Sequence, residues 1–307
     1  MRKSSRRIAV ALFVALLLFT TRLEAQAQLK REPATKLTLG VVFQGPRDPV
    51  TEHFRPFVNY AARKLTPTGD TKGMVVVAPT AGQMMKLLEE KRVDFYMESP
   101  YPTYVINRLG AARLLVRRWK GGIAEYRSLI FTNKESGVAR LEDLRGKIIA
   151  FEDPGSTSGY FLPKLFLLKK GFSVMEKASR EAKVSATEIG YIFADTDKNI
   201  FNLVVQKKVA AGAFSNDDFA HVSDTSKASI SMLGETESMP RHLVSVRKDV
   251  PEPVVKRLRE ILLSMHQDKE GQDILRKADN TTKFDSLPGG EEMVRRKLVD
   301  LYRQRQR

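Results

Sequence analysis

Cysteine is absent from this chain of 307 residues. Its absence excludes disulfide bonds, thiolate metal sites and a cysteine nucleophile. It does not exclude export, because a chain of this length buries enough apolar surface to fold without cross-links. Histidine is also scarce, and the four histidines share no metal-ligand spacing: His53, His221, His242 and His266. We therefore expect neither a metal nor another cofactor.

Common catalytic motifs are missing too. The chain has no HExxH motif, no Walker loop and no GxSxG motif. A serine nucleophile would need a base, and the sequence indicates no histidine partner for one. We expect no catalytic residues and no enzyme activity.

The N-terminal apolar run, Ile8 to Thr20, is shorter than the ~20 residues that a membrane helix needs. Basic residues precede it, and Ala25-Gln26-Ala27 offers the small residues that a signal peptidase reads. Residues 1–27 are therefore predicted to be a cleavable signal peptide. No lipid-attachment cysteine follows, so we expect an exported protein in a bacterial periplasm.

Positive charge dominates the chain, with a net charge of +16. Removal of residues 1–27 takes away five of the 52 basic and one of the 36 acidic residues, which leaves +12. The basic residues are scattered, without the clustering and interleaved aromatics of a nucleic-acid surface. We expect no nucleic-acid partner, whereas a positive field that draws anions into a cleft fits the charge.

Strand-like runs alternate with helical patterns from Leu37 onwards. This order predicts βαβ units and an α/β fold with mainly parallel sheets flanked by helices. A second α/β unit interrupts the first and is followed by a return crossing. We predict two lobes that face each other across a cleft, lobe 1 from residues 28–132 and 225–307 and lobe 2 from residues 133–224.

The most informative stretch joins the predicted strand Gly146–Phe151 to a helix through Pro154-Gly155 and three hydroxyl residues, Ser156, Thr157 and Ser158. The first N–H groups of a helix have no partner within it, and the helix dipole adds positive charge there. Such a helix start favours an anion. The alternative is that Ser156 or Thr157 only caps the helix.

Other polar turns follow the ends of predicted strands in the same way, at Gln44, Thr80, Ser99, Asp195 and Ser215. In open α/β sheets, ligands bind at that edge.

Two blocks, Leu141–Phe151 and Asp153–Tyr160, carry a family resemblance, with support from Val93-Asp94-Phe95 and Ser99–Tyr104. The chain resembles the periplasmic solute-binding proteins of ABC importers for phosphate, phosphite and phosphonates. The resemblance implies a two-lobed type II binding-protein fold, with hinge crossovers, that closes around a small oxyanion. It also implies a permease partner in the inner membrane.

The same resemblance suggests site residues. It implies that Ser156, Thr157 and Ser158 hold the phosphonate oxygens, and that Tyr104 lines the site with Ser99 nearby. The alternative for Tyr104 is that it packs its own helix onto the core.

Four residues leave the ligand open. Thr80 stands where the family has an aromatic residue, and Asp197 stands where it often has a histidine. Asp197 either holds a ligand ammonium or caps its helix, and Asp217 either meets a ligand amine or caps the helix that begins there. Glu98 is a further unexpected acid beside Ser99.

We therefore predict a monomeric solute-binding protein of an ABC importer. The alternatives are a receptor for a membrane sensor kinase, a binder of another small oxyanion or of an amine-bearing ligand, an exported hydrolase that uses the serine cluster, and a nucleic-acid-binding protein.

Overall fold

The computed structural model describes residues 36–66, 68–108 and 111–303. These residues form two six-stranded sheets with helices packed on both faces. The predicted signal peptide, residues 1–27, lies outside the described residues. None of the helices in the described ranges combines the length and the apolar character of a membrane span.

The first sheet contains β1 (Lys36–Val42), β2 (Lys72–Ala78), β3 (Phe95–Glu98), β4 (Ala112–Lys120), β13 (His242–Arg247) and β14 (Thr281–Asp285). Its spatial order is β14-β4-β13-β3-β1-β2. The helices that pack on it are α1 (Arg47–Leu65), α2 (Ala81–Glu89), α3 (Pro100–Asn107), α8 (Glu252–Ser264), α9 (Lys269–Lys277) and α10 (Glu291–Arg303). We call this sheet and its helices the first lobe.

The second sheet contains β6 (Ser128–Asn133), β7 (Ile148–Phe151), β8 (Ser173–Glu176), β9 (Glu188–Phe193), β10 (Ala211–Ser215) and β11 (Ile230–Glu235). Its spatial order is β11-β6-β10-β7-β9-β8. Its helices are α4 (Leu162–Lys169), α5 (Asp197–Val205), α6 (Asn216–Ala220) and α7 (Asp224–Lys227). This sheet and its helices are the second lobe.

Apolar periodicity explains these elements. The alternating run at Leu37 becomes β1, and the helical pattern after it becomes α1, which buries Phe57 and Val58 against the sheet. All four residues of β7 are buried, as expected of a strand in a sheet covered on both faces. The predicted βαβ units form the parallel part of each sheet. The antiparallel pairs involve β4, β13 and β14 in the first sheet and β6 and β11 in the second.

Two short strands connect the lobes. The chain leaves the first sheet after β4 and passes through β5 (Glu125–Tyr126), and it returns through β12 (Met239–Pro240), which pairs with β5. The lobe boundaries predicted at residues 133 and 224 stay a prediction. The second sheet extends beyond both, because β6 begins before residue 133 and β11 lies after residue 224.

An apolar cluster packs the two lobes against each other near these crossovers. It joins Leu114 and Leu243 of the first sheet to Phe161 and Leu162 of the second lobe, with Leu298 of α10 packed on them. The rings of Tyr101 and Phe161 stack across the boundary with centroids 4.4 Å apart. Burial of apolar surface therefore stabilises the arrangement in which the two lobes touch.

Close packing around one glycine gives a test of the first lobe. A Cβ added at Gly271, in α9, would lie 1.9 Å from the carbonyl oxygen of Met265, so Gly271→Ala should destabilise the protein by about 1–3 kcal/mol. At Gly82, in α2, the nearest atom to an added Cβ is 3.8 Å away, so Gly82→Ala should be neutral or slightly stabilising. Urea unfolding midpoints measure both effects, and equal midpoints for the two variants would contradict the expectation.

Candidate functional site

Two helix starts, one from each lobe, face each other in the structure. The start of α3 follows β3 at Ser99, and a single turn of π-helix, Thr157–Phe161, follows β7 and leads into α4. The hydroxyl oxygen of Thr157 accepts the backbone N–H of Tyr101 at 2.9 Å, and the hydroxyl donates to Ser99 Oγ at 3.0 Å. The positive ends of two helix dipoles therefore meet at Thr157.

Local sequence fixes the second of these starts. Ser156 has extended backbone angles, and its Oγ accepts the N–H of Gly159 at 2.9 Å, which is a side-chain N-cap. Gly159 is required here, because an added Cβ would lie 2.5 Å from both Cβ and Oε2 of Glu152. The capping role that the sequence left open for Ser156 is thus present, and the next residue, Thr157, contacts the other lobe.

Donors remain available beside Thr157. The backbone N–H groups of Thr157 and Ser158, the first two of the π-turn, donate to no other group in the described part of the chain. Both side chains are buried beside Tyr126, on the crossover β5, and their hydroxyls oppose the rise that burial causes in the pKa of Tyr126. Amide and hydroxyl donors in a buried place at a helix start can bind an oxyanion.

A carboxyl group stands next to each helix start. Glu98 Oε2 accepts the N–H of Ser99 at 2.8 Å and its hydroxyl at 3.3 Å, and Glu152 Oε2 accepts the hydroxyl of Ser156 at 2.7 Å. Burial raises the pKa of both carboxyl groups, from 4.5 to about 7 in each case. The negative charge of Asp153 raises both further, whereas Arg118 opposes the rise at Glu98.

Thr80 and Asp197 lie at other helix starts, whereas Tyr104 lines the small space next to Thr157. Thr80 is exposed, and its Oγ1 accepts the N–H of Gln83 as the cap of α2. Tyr104 packs on Tyr302, with ring centroids 4.3 Å apart. Asp197 is the first residue of α5, whose cap is Thr196, and its charge contributes to the raised pKa of Glu152.

Asp217 is buried and meets a protein cation. Nε and Nη2 of Arg241 both lie 3.3 Å from its Oδ2, and the guanidinium of Arg241 also lies over the ring of Tyr126 at 4.6 Å. Arg241 sits between β12 and β13, so this ion pair ties the second lobe to the crossover. The structure thus brings Ser99, Thr157 and Ser158 together and gives Asp217 a guanidinium partner. The ligand roles of all eight residues stay predictions.

A cavity of about 430 Å³ opens at the carboxyl edge of the first sheet, which is large enough for a small organic molecule. Its walls are apolar and include Val41, Val42, Phe43, Pro46, Val50 and Met97. A much smaller space of about 10 Å³ lies between Tyr101, Thr157 and Phe161, which is room for about one water molecule. Of these two spaces, only the larger one has room for an organic group.

The floor of this cavity is cationic and was not found from the sequence. Arg118 is 2 % exposed, and its guanidinium donates to the carboxylate of Asp279 at 3.0 Å and to Thr281 Oγ1 at 2.7 Å. Lys120 pairs with the same carboxylate at 3.0 Å. Burial and the positive charges of Arg241, Arg118 and Lys120 hold the pKa of His242 well below 6.5, so its imidazole is neutral. In the sequence, the two consecutive arginines inside an apolar strand, Arg117 and Arg118, could have indicated a buried cation.

This architecture is that of the two-lobed solute-binding proteins, and solved structures of that class superpose on most of the chain. XAC2383 from Xanthomonas citri, solved with bound ATP, is 27% identical with a TM-score of 0.79, over 89% of this chain and 98% of that one. The same protein has also been solved with a chloride ion. PhnD1 from Prochlorococcus marinus, solved with methylphosphonate, has a TM-score of 0.64 at 16% identity, over 88% of this chain and 98% of that one. At this lower identity, the likeness shows the fold alone.

A family model for the periplasmic phosphonate-binding component of ABC transporters matches residues 39–287, and the chain belongs to this family. The phosphate-import protein PhnD of Mycolicibacterium smegmatis is 32% identical over 99 residues, which cover 31% of this chain. The match spans 30% of that relative's length. The fold class and the family predicted from the sequence are confirmed.

The bond network of Thr157 gives a second prediction. Thr157→Val removes both hydrogen bonds between the helix starts and should lower the free energy of unfolding by about 1–3 kcal/mol. Thr157→Ser keeps the hydroxyl and should recover most of the loss. Chemical denaturation of the two variants measures the difference, and equal stabilities would show that the contact contributes nothing.

The raised pKa values predict how stability changes with pH. The unfolded chain loses these carboxyl protons near pH 4.5 and the folded protein loses them near pH 7, so their contribution to stability falls as pH rises through this window. Glu152→Gln removes one buried charge and should therefore raise the free energy of unfolding at pH 8 by about 1–3 kcal/mol, with no gain at pH 5. The exposed Glu181→Gln is the control, and urea unfolding at both pH values is the measurement. A gain of the same size at pH 5 would contradict the assignment.

Proposed function

We propose that this protein is the solute-binding component of an ABC importer and that it captures phosphate, phosphite or a phosphonate between its lobes. The observation that carries the proposal is the meeting of two helix starts from opposite lobes, at Ser99 and Thr157. Membership of the phosphonate-binding family supports the importer role. A relative named for phosphate import supports the ligand class.

Capture follows from donors on both lobes. An oxyanion that enters the cleft meets the amides of Thr157 and Ser158 on one side and Ser99 on the other. Both helix dipoles, together with Arg118 and Arg241 nearby, favour its negative charge. Because the ligand contacts both lobes only when they are closed, binding shifts the protein towards the closed form. The closed form then docks on a permease in the inner membrane.

The two carboxyl groups tune this capture. Glu98 occupies the N–H and hydroxyl of Ser99, and Glu152 occupies the hydroxyl of Ser156, so an oxyanion competes with them for donors. An incoming anion also disfavours the ionised carboxylates by repulsion. Binding is therefore accompanied by proton uptake, and affinity should increase as the pH falls through 7.

The proposal includes the absence of catalysis. Among the described residues, no histidine is hydrogen-bonded to Ser156 or Ser158, and Ser156 instead caps a helix while it donates to Glu152. A serine nucleophile needs a base that is in turn oriented by a third group. The serine run fits binding better than hydrolysis.

Location and partners belong to the same proposal. Export by the predicted signal peptide would place a monomer in the periplasm, with a small oxyanion and the permease as partners and no nucleic acid. A receptor for a sensor kinase would share this fold, and the absence of a permease interaction would favour it. The ion pair of Asp217 with Arg241 supports an oxyanion over a ligand whose amine would need that carboxylate.

Ligands larger than phosphate also fit the family context. XAC2383, at 27% identity, has been solved with ATP, which carries phosphate oxygens on a large organic body. The cavity beside Glu98 provides space for an organic part in this chain.

A stability panel tests the proposal. A ligand at a hundredfold excess over its Kd should add about 2.7 kcal/mol to the stability of the protein. We expect this shift with at least one of phosphate, phosphite and methylphosphonate but not with sulfate, and we expect Ser158→Ala to weaken binding about tenfold by removing a hydroxyl donor. Ser173→Ala, on the exposed edge strand β8, is the matched control. The proposal fails if none of the phosphorus oxyanions or organophosphonates tested binds.

A further inference from the structure

The 430 Å³ cavity at the carboxyl edge of the first sheet has no role in gripping an oxyanion at Thr157 and Ser158. It is formed by the ends of β1, β3 and β4, the start of β13 and the first turns of α1. A space of this size lies within the range of about 300–1,000 Å³ that small-molecule sites occupy. Inorganic phosphate would leave most of it unfilled.

The walls of the cavity favour an apolar group of a ligand. Phe43 is 43 % exposed, which is unusual for a large aromatic side chain and leaves its ring available at the mouth. Gly45 holds the ring there, because an added Cβ would lie 2.5 Å from Phe43 Cε1. Val42 and Met97 continue the apolar wall inwards. Aromatic rings prefer such surroundings, where they stack on another ring and displace water.

The floor favours an electron-rich group. Arg118 and Lys120 share one carboxylate, that of Asp279, so the floor keeps a positive charge that Glu98 balances only when ionised. A guanidinium or ammonium group attracts the face of an aromatic ring. The neutral His242 adds a flat, uncharged surface beside them.

The cavity also lies next to the helix starts. Glu98 lines the cavity and accepts the N–H of Ser99, which in turn contacts Thr157. On the other side, His242 lines the cavity and lies beside Arg241, which covers Tyr126. A single ligand can therefore place its oxyanion at Thr157 and its organic substituent in the cavity.

We infer that the cavity receives a bulky apolar substituent, above all an aromatic one, so that the substrates are organophosphonates or phosphate monoesters of this kind and not inorganic phosphate. The inference rests on the proposed function, since the oxyanion end is held as described there. It adds that the substituent provides much of the affinity and the selectivity.

Titration calorimetry of the purified protein with four probes tests the inference: inorganic phosphate, methylphosphonate, benzylphosphonate and phenyl phosphate. Benzylphosphonate should bind at least about tenfold more tightly than methylphosphonate, because the ring leaves water for an apolar cavity. Comparison of phenyl phosphate with benzylphosphonate distinguishes a phosphate monoester from a phosphonate as the source of the oxyanion. Tight binding by either aromatic probe supports the inference. Equal affinities for the methyl and the aromatic probes, or tighter binding of phosphate, would overturn it and leave the proposed function standing. Binding of none of the four, together with no binding of phosphite, would overturn both.

Two variants locate the substituent. Phe43→Ala removes an exposed ring and should weaken benzylphosphonate about fivefold or more while it changes methylphosphonate less than about twofold. Val50→Phe narrows the cavity from α1 and should have the same selective effect. Met74→Ala, at another exposed apolar residue of the first lobe, is the control and should change neither affinity. Equal losses for both ligands in Phe43→Ala would place the substituent outside the cavity.

Discussion

The hydrogen bonds of Thr157 to Ser99 and to the backbone of Tyr101 are the contact on which the site depends. They join the start of α3 in the first lobe to the π-turn before α4 in the second, across 56 to 58 residues of sequence. Both partners lie at the carboxyl ends of parallel strands, β3 and β7, so their position follows from the sheets. This contact brings the positive ends of two helix dipoles together, and a negative group is favoured there.

Charge balance is the second constraint on the site. Arg118, Lys120 and Arg241 lie around the cleft and are paired with Asp279 and Asp217. Burial raises the pKa of the two glutamates beside the helix starts to about 7. A buried charge without a partner is expensive, so each group is either paired or neutralised. The site therefore accepts an anion without a large reorganisation of its own charges.

Much of the fold could be predicted from the sequence because periodicity and turn residues specify local elements. The strand before Pro154, the capped start at Ser156 and the position of Ser99 at a strand end all followed from such patterns. Arg118, Lys120 and His242 did not, because β4 and β13 pair antiparallel across a long insertion, and no local pattern indicates which residues such a pairing brings together. Position at the end of a strand does not by itself indicate a ligand contact, because the hydroxyl of Thr80 caps its own helix.

The crossovers β5 and β12 share only two residue pairs, Tyr126 with Met239 and Glu125 with Pro240, whereas the contact between the lobes is a broad apolar cluster. Separation of the lobes thus breaks few backbone bonds and mainly exposes hydrocarbon to water. Such contacts carry a large heat-capacity change and weaken on cooling. If the lobes open and close as proposed, the open fraction should therefore grow in the cold.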